Sequence, residues 1–419
     1  MSRTLALISG LFATVGLSGC TSEAPAIPPV RRAGSDAPFQ HVVLVVIDTL
    51  RADVARTAHT PNMDALAAAG ERVDRAWSSG TWTAPSVVSL FTGAPIRAHG
   101  WDLPVGHIGR YPTLPTRPTL AETLQGAGFH TTALVGNPYL TAEVGFARGF
   151  DRWSRTSDTA MLRTLEHAFL PQLDAGGRHF LYLHLMGPHS PLAPSSEART
   201  RHGLASRWFQ EPRGLMIGAA KRNQQDGVRT AYATAYRAVV EDTDARLGRI
   251  LQALTPLGTD TLIILTSDHG ELLGEHGMVG HGRHLWEPLT HVPLIVRGVQ
   301  DLPHRMSIDA IPDLVTRLTG VPASWPTQAV AGSVLVSQRE GLLTMSPDGR
   351  TKWIWGELDT ESYDLEQDPA ELVPLSADPR AARFRATWES QVPAGPVLPL
   401  TVDLSKDTRS ALKTLGYTD

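Results

Sequence analysis

The chain is 419 residues long, 42% hydrophobic and 19% charged, with a formal charge of −4 and one cysteine. That is enough chain for two or three domain-sized units of globular composition, and it excludes a disulfide-stapled mini-protein. The small negative charge excludes a general pull toward nucleic acid, so an anionic substrate has to be held locally. Residues 1–19 read as a targeting segment: Arg3 supplies a positive start, Leu5 to Leu17 an apolar run too short and wrongly flanked for a spanning helix, and Leu17-Ser18-Gly19-Cys20 a small-residue cleavage site. Residues 21 to about 38, rich in Pro, Ala and Ser, read as a flexible tether, so the folded part starts near Gln40.

After His41, the run VVLVVI is continuous and rich in β-branched residues, which suits a strand buried on both faces; it ends at Asp48. Thr60-Pro61-Asn62 opens a helix with a cap and an N1 proline, which continues through Leu66 to a stop at Gly70. HTTALVG (130–136) and HFLYLHL (179–185) are further strands, while the polar, aperiodic stretch 195–228 reads as a surface loop or lid. From Tyr236 through Val240, Thr243, Leu247, Ile250 and Leu254 the pattern steps at three and four, so an amphipathic helix leads into TLIILT (261–266). That second buried strand ends at Ser267-Asp268-His269. Alternation of strands and helices from 40 to about 320 makes an α/β domain, and two buried strands that each end in an acid place both acids at the carboxyl edge of one parallel or mixed sheet. From about 330, GLLTM and TKWIWGE flank Pro347-Asp348-Gly349, a hairpin signal that predicts a small antiparallel domain.

Asp48, Thr83, Asp268 and His269 form the candidate reactive set. Carboxylate oxygens and an imidazole suit a divalent ion, and a hydroxyl beside such an ion is acidified toward a nucleophile. Thr83 also precedes a helix start, where free N–H groups and the helix dipole favour a phosphate or sulfate group. Each residue alone has an ordinary reading: Thr83 as a helix cap, Asp48 as an ion-pair partner, Asp268-His269-Gly270 as a satisfied turn. Both acids at the ends of buried strands favour a site. A second group, His269, His276, His281, His284 and His291, falls within 23 residues, with His184 and His189 near the end of another strand. One or two of these imidazoles at the same sheet edge would protonate a leaving group or neutralise an oxyanion.

In chain order, VVLVVIDTLRAD, HTPNMDALAAAG, WTAPSVVSLFTG, HLMGPHSPLAP, LTSDHGELLGEHG, GHGRHLWEPLTHVPLIV, IPDLVTRLTGVP, ESYDLEQDPAEL and LKTLGY resemble the sulfatase family within the alkaline phosphatase superfamily. The resemblance implies an α/β fold, a mixed sheet flanked by helices, with a smaller C-terminal α+β domain carrying an antiparallel sheet. It also implies ester hydrolysis or transfer at a metal site. Asp48 matches the first metal-binding acid, Asp268 and His269 the later ligand pair, and Thr83 the nucleophile that is also a ligand. His189 and His281 match positions that bind substrate or assist the leaving group. Three departures stand out. Thr83-Ala84-Pro85-Ser86-Val87 has neither the Cys or Ser that becomes formylglycine nor the arginine of Cys/Ser-x-Pro-Ser-Arg. Thr49 follows Asp48 where a second acid is usual, and Gly136-Asn137-Pro138-Tyr139 stands where many relatives grip sulfate with Lys-Trp-His, leaving Asn137 as the polar group there. An unmodified Thr nucleophile looks more like the phosphodiesterase and phosphoglycerol-transferase branches. Leu17-Ser18-Gly19-Cys20 in turn resembles the lipobox of bacterial lipoproteins, with Cys20 the acylated residue and Thr21 consistent with outer-membrane sorting.

The chain therefore divides into a signal peptide (1–19), a lipidated Cys and tether (20–39), a catalytic domain (40–328) and a C-terminal subdomain (329–419). The expected function is ester hydrolysis or transfer with Thr83 as nucleophile, acting on phosphate mono- or diesters. The alternatives are a sulfatase without formylglycine and a non-catalytic scaffold lipoprotein. One firmly held Mn, Zn or Ca ion is expected, with room for a second. The partners are an anionic ester and, through Cys20, the membrane of the bacterial cell envelope, with no nucleic acid.

Overall fold

The structure, a computed structural model, describes residues 37–103, 110–173, 177–205, 222–325, 335–338, 341–345, 349–356, 360–375, 378–392 and 394–414. Cys20 and the targeting segment lie outside the described residues. The central sheet contains, in chain order, β1 (His41–Ile47), β2 (Gly70–Arg72), β3 (Phe129–Val135), β4 (Arg152–Arg155), β5 (Arg178–Leu185), β6 (Thr261–Thr266) and β7 (Leu294–Arg297). Its spatial order is β2-β7-β6-β1-β5-β3-β4. β6, β1, β5, β3 and β4 run parallel, and β7 and β2 complete one edge in antiparallel pairing. β1 lies centrally because both of its faces are apolar: Val42, Leu44 and Val46 enter one core, and Val43, Val45 and Ile47 the other.

Helices cover both faces. α1 (Pro61–Ala68) contributes Met63 and Leu66 to the second core, and α2 (Thr83–Thr92) buries all its residues, with Val87, Val88, Leu90 and Phe91 in the first. α3 (Ser196–His202) is short, whereas α4 (Arg222–Ala253) packs Tyr236, Val240, Leu247 and Ile250 against the second core. Phe39, inside the span read as tether, is already packed: it is 3% exposed and its N–H donates to Leu318 O.

Two sequence expectations are corrected here. The stretch 195–228 is not wholly loop: Ser195 caps α3 by accepting the Ala198 N–H, Asp242 of α4 holds Ser195, and α4 begins at Arg222. No apolar stripe announces the start of α4 because residues 227–231 are exposed or half-exposed. Residues 206–221 lie outside the described residues. Thr60 stands at the cap position of α1 but its hydroxyl donates to Ala55 O. The first-turn N–H groups of Asn62 and Met63 instead donate to the Asp244 carboxylate at 3.0 and 2.9 Å. A carboxylate on a neighbouring helix has displaced the local hydroxyl as the cap.

The smaller antiparallel sheet is formed by β8 (Leu335–Gln338), β9 (Gly341–Met345), β10 (Thr351–Gly356) and β11 (Thr360–Asp364), in that order. Gly349, between β9 and β10, has φ +70°, which suits a residue without Cβ. Lys352 on β10 is fully buried, with its ammonium 2.7 Å from Glu371 and 3.1 Å from Glu287. Downstream, Leu400–Asp403 pairs with Arg110–Pro112, and Leu404 and Leu412 enter the main core.

His99 is buried beside α2, where Nδ1 accepts the Trp101 N–H at 3.0 Å and Nε2 lies 2.9 Å from Ser89 Oγ. Burial, reinforced by the Arg117 charge, pulls its pKa down to about 3. The unfolded chain, with a histidine pKa of about 6.5, binds that proton more readily, so the contribution is intact above about pH 6.5 and is lost as the pH falls toward 3. His99→Gln should lower stability at neutral pH by about 1–3 kcal/mol and flatten its acid dependence in denaturant unfolding. An unchanged acid limb would place the titrating group elsewhere.

Candidate active site

β1 and β6 are adjacent and parallel, with Val46 opposite Thr266, so Asp48 and the Ser267-Asp268-His269 turn emerge at the same edge. On the other side of β1, His184 lies on β5 opposite Val46. The start of α2 brings Thr83 to this edge, and the turn after β3 brings Asn137. Asp48, Thr83, Asn137, His184, Ser267, Asp268 and His269 are all buried, at 0–1% exposure.

Thr83 is the first helical residue of α2, and the cap position belongs to Trp82, which makes no side-chain capping bond. The Thr83 hydroxyl turns instead toward the sheet edge. Its Oγ1 lies 3.5 Å from Asp48 Oδ2 and 3.3 Å from His269 Nε2, and it accepts a hydrogen bond from Asn137 Nδ2 at 3.1 Å. The expectation that Thr83 caps its helix is therefore corrected: a buried polar edge competes for the hydroxyl more effectively than its own first turn.

Each acid has one oxygen tied down and one aimed inward. Asp48 Oδ2 accepts from Asn137 Nδ2 at 2.7 Å. Asp268 Oδ1 accepts the N–H groups of His269 at 3.0 Å and Thr49 at 3.3 Å, and Thr49 adopts φ +57° in directing its N–H there. Asp48 Oδ1 and Asp268 Oδ2 have no hydrogen-bond partner, nor does either ring nitrogen of His184. His184 Nε2 is 3.5 Å from Asp268 Oδ2, while His269 Nε2 is 3.6 Å from Asp48 Oδ1 and 3.7 Å from Asp268 Oδ2. His269 Nδ1 lies 2.9 Å from Gly270 O, a contact that suits an N–H donor there and leaves Nε2 as the lone-pair nitrogen facing the acids.

Burial and the neighbouring Asp268 push the Asp48 carboxyl well above the usual range. Burial opposes ionisation of Asp268 too, but His269, His184 and the Thr49 N–H hold it below that range. Burial, with a further push from His281, brings His269 down to about 4 against the pull of Asp268, so it is the neutral, metal-ligating form. Donor atoms of Asp48, His184 and Asp268 all lie within 4.8 Å of one another. Buried polar atoms rarely go without partners, and a divalent ion would satisfy three of these together: Asp48 Oδ1, Asp268 Oδ2 and one ring nitrogen of His184. The residues fit a cation, with Asp48, Asp268, His184 and His269 to hold it and Thr83 beside it.

His281 lies at the outer side, its ring 4.5 Å from that of His269 and its Nδ1 3.0 Å from Glu271 Oε2, to which it donates. The His189 ring is 5.2 Å from that of His281. His276 and His284 stack instead on Trp286 at 3.8 and 4.2 Å, and His291 stacks on Trp77. Asn137 sits deeper than a substrate-gripping residue would: its amide nitrogen is engaged by Asp48 and Thr83, and its Oδ1 accepts the Tyr139 N–H. Sequence reasoning gave no ligand role to His184 and overlooked Glu271. The signals were the strand period, which aims His184 with Tyr182, and the position of Glu271 two residues after His269.

Residues 40–316 match the sulfatase family model. A choline-sulfatase of Rhizobium meliloti (strain 1021) is 29% identical over 179 residues, 36% of this chain and 35% of that protein. The low-salt glycan biosynthesis sulfotransferase Agl7 of Haloferax volcanii is 26% identical over 284 residues, 64% of this chain and 57% of that protein. The matches thus span less than two thirds of these curated relatives. The fold is similar to that of BT4656, solved with its substrate D-glucosamine-2-N,6-O-disulfate: TM-score 0.68 at 17% identity, covering 85% of this chain and 98% of that one.

Asp48→Asn removes one of two like charges while keeping its shape. In the presence of a chelator the variant should therefore unfold at a higher temperature than the parent. Added Mn2+ or Zn2+ should stabilise the parent by about 2.7 kcal/mol at a hundredfold excess over Kd and leave the variant nearly unmoved. Equal metal-induced thermal shifts in both proteins would remove Asp48 from the ligand set.

Proposed function

The chain belongs to the sulfatase family, and from that premise we propose that it is a metal-dependent enzyme that hydrolyses or transfers a sulfate ester, with Thr83 as the attacking group. The observation that carries the reading is the convergence of Thr83 Oγ1 with Asp48, His269 and Asn137 in one buried cluster. The names of the relatives favour sulfate over phosphate, and so does charge. A divalent ion would just balance Asp48 and Asp268, and the side chains that bond these acids and Thr83 in the described structure are amide, hydroxyl and imidazole groups. Such a centre suits an ester carrying one negative charge better than a phosphate monoester carrying two. A phosphate diester, also singly charged, is the second reading, favoured by the ordinary hydroxyl of Thr83 where relatives use formylglycine.

A divalent ion bound here would supply Lewis-acid stabilisation of the non-bridging oxygens and acidify the Thr83 hydroxyl. The chain's own residues do the rest. Asn137 donates to Thr83 Oγ1, which favours its deprotonated form and fixes its direction. The first turn of α2 presents its positive dipole end to the sulfuryl group. Thr83 Oγ1 passes its proton to Asp48 Oδ2, toward which it points, and forms the new bond to sulfur as the ester oxygen departs, while His281 or His189 protonates that oxygen. Glu271 orients His281 through Nδ1. Water or a second alcohol then takes the sulfuryl group from Thr83.

We further propose that Cys20 is lipidated and holds the protein in the bacterial cell envelope. Among the described residues no helix is long and apolar enough to cross a membrane.

With Mn2+ or Zn2+ present, the purified protein should turn over aryl or alkyl sulfates, and Thr83→Ala should reduce kcat/KM by about three orders of magnitude or more. Wild-type activity in Thr83→Ala would sink the nucleophile assignment, and turnover confined to phosphate diesters would replace the first reading by the second. Expressed in a bacterial host, the parent should sediment with membranes and Cys20→Ser should be soluble. Equal partition of the two would end the anchor proposal.

A further inference from the structure

Resting on the metal-site part of the reading above, we propose that His184 is a metal ligand in place of the acid missing at Thr49, so that the centre selects a borderline transition ion such as Zn2+ or Co2+ over Ca2+. Thr49 offers no donor to such an ion: its hydroxyl donates to Asp48 O at 2.7 Å, and its N–H is directed at Asp268 Oδ1. The side chain nearest the inward oxygen of Asp268 from the opposite strand is His184, whose Nε2 lies 3.5 Å from it. His184 is completely buried on β5 with no hydrogen bond at either ring nitrogen. An imidazole in that state is costly unless something binds its lone pair.

Adding His184 to His269 gives two nitrogen donors and two carboxylate oxygens, with the Thr83 hydroxyl adjacent. Imidazole nitrogen favours Zn2+ and Co2+, whereas Ca2+ seeks six to eight oxygens and usually recruits water to reach that number. Asp48, His184, Asp268 and His269 are all at 0% exposure, which leaves little room for such a hydrated shell. Three mutually convergent donors, with His269 Nε2 3.6 and 3.7 Å from the two acids and one hydroxyl adjacent, suit the four- or five-coordinate geometry of zinc-like ions.

The test is metal binding itself. The chelator-stripped full chain is titrated with Co2+ while the visible d–d absorption is followed, and the bound ion is then competed with Zn2+, Mn2+ and Ca2+. The intense absorption of a four- or five-coordinate site is expected, displaced by Zn2+ but not by about a hundredfold excess of Ca2+. His184→Ala should weaken Co2+ binding by about 100-fold, and His184→Asp should shift preference toward Ca2+. Should both variants fail to fold, X-ray absorption on the Zn2+-loaded parent decides, with two imidazole nitrogens expected. Displacement of Co2+ by equimolar Ca2+, a single imidazole in the first shell, or unchanged affinity in His184→Ala would overturn the proposal. These outcomes are independent of turnover, so inactivity toward sulfate esters would refute the functional reading without touching this one.

Discussion

Asp48 and Asp268 reach the same fully buried edge from adjacent parallel strands, and two carboxylates cannot both be ionised in so dry a space unless a cation lies between them. The neighbouring contacts answer that constraint. Asn137 and the N–H groups of Thr49 and His269 each bind one outer oxygen, which leaves Asp48 Oδ1 and Asp268 Oδ2 aimed inward beside His184 and His269. Thr83 completes the cluster from a third element. The carboxylates draw in the imidazoles that would share a metal with them.

The fold delivers these groups because the strands are parallel and central. After His41, β1 has no polar face to show, so it is sandwiched, and the next polar side chain, Asp48, falls where the strand ends. α2 is buried along its whole length, which fixes the direction of Thr83 to within the play of a core helix. Farther out, Lys352 ties the antiparallel sheet to Glu287 through Glu371, whose carboxyl burial and the Glu287 charge push up to about 7. Glu287 also lies 3.4 Å from His291 and accepts from the Trp77 indole. The C-terminal sheet thus braces the segment that follows His281 as well as covering the main domain.

Much of this could be read in the chain. VVLVVI and TLIILT are long apolar runs with no competing period, and both form the strands they predict, ending at the two acids. The strands on either side of Pro347-Asp348-Gly349 pair antiparallel as that signal predicts, while Pro347 and Asp348 lie outside the described residues. Where local signals misled, a distant residue had outbid a near one. Asp244, 182 residues from Asn62, caps α1 in place of Thr60. Thr83 leaves its own helix turn for Asp48 and His269. Arg222 starts a helix whose first turns carry no apolar stripe, so periodicity could not reveal them.

By itself, then, the sequence determined the strand cores and the two acids that end them, because each depends on burial or spacing within a short stretch. Tertiary structure alone decided which histidines reach the centre. In sequence, His276 and His284 look as suitable as His184; in space they stack on Trp286, while β5 lying against β1 carries His184 to Asp268. A ligand set is a matter of angstroms between elements far apart in the chain, and no local pattern encodes which strand will be a neighbour.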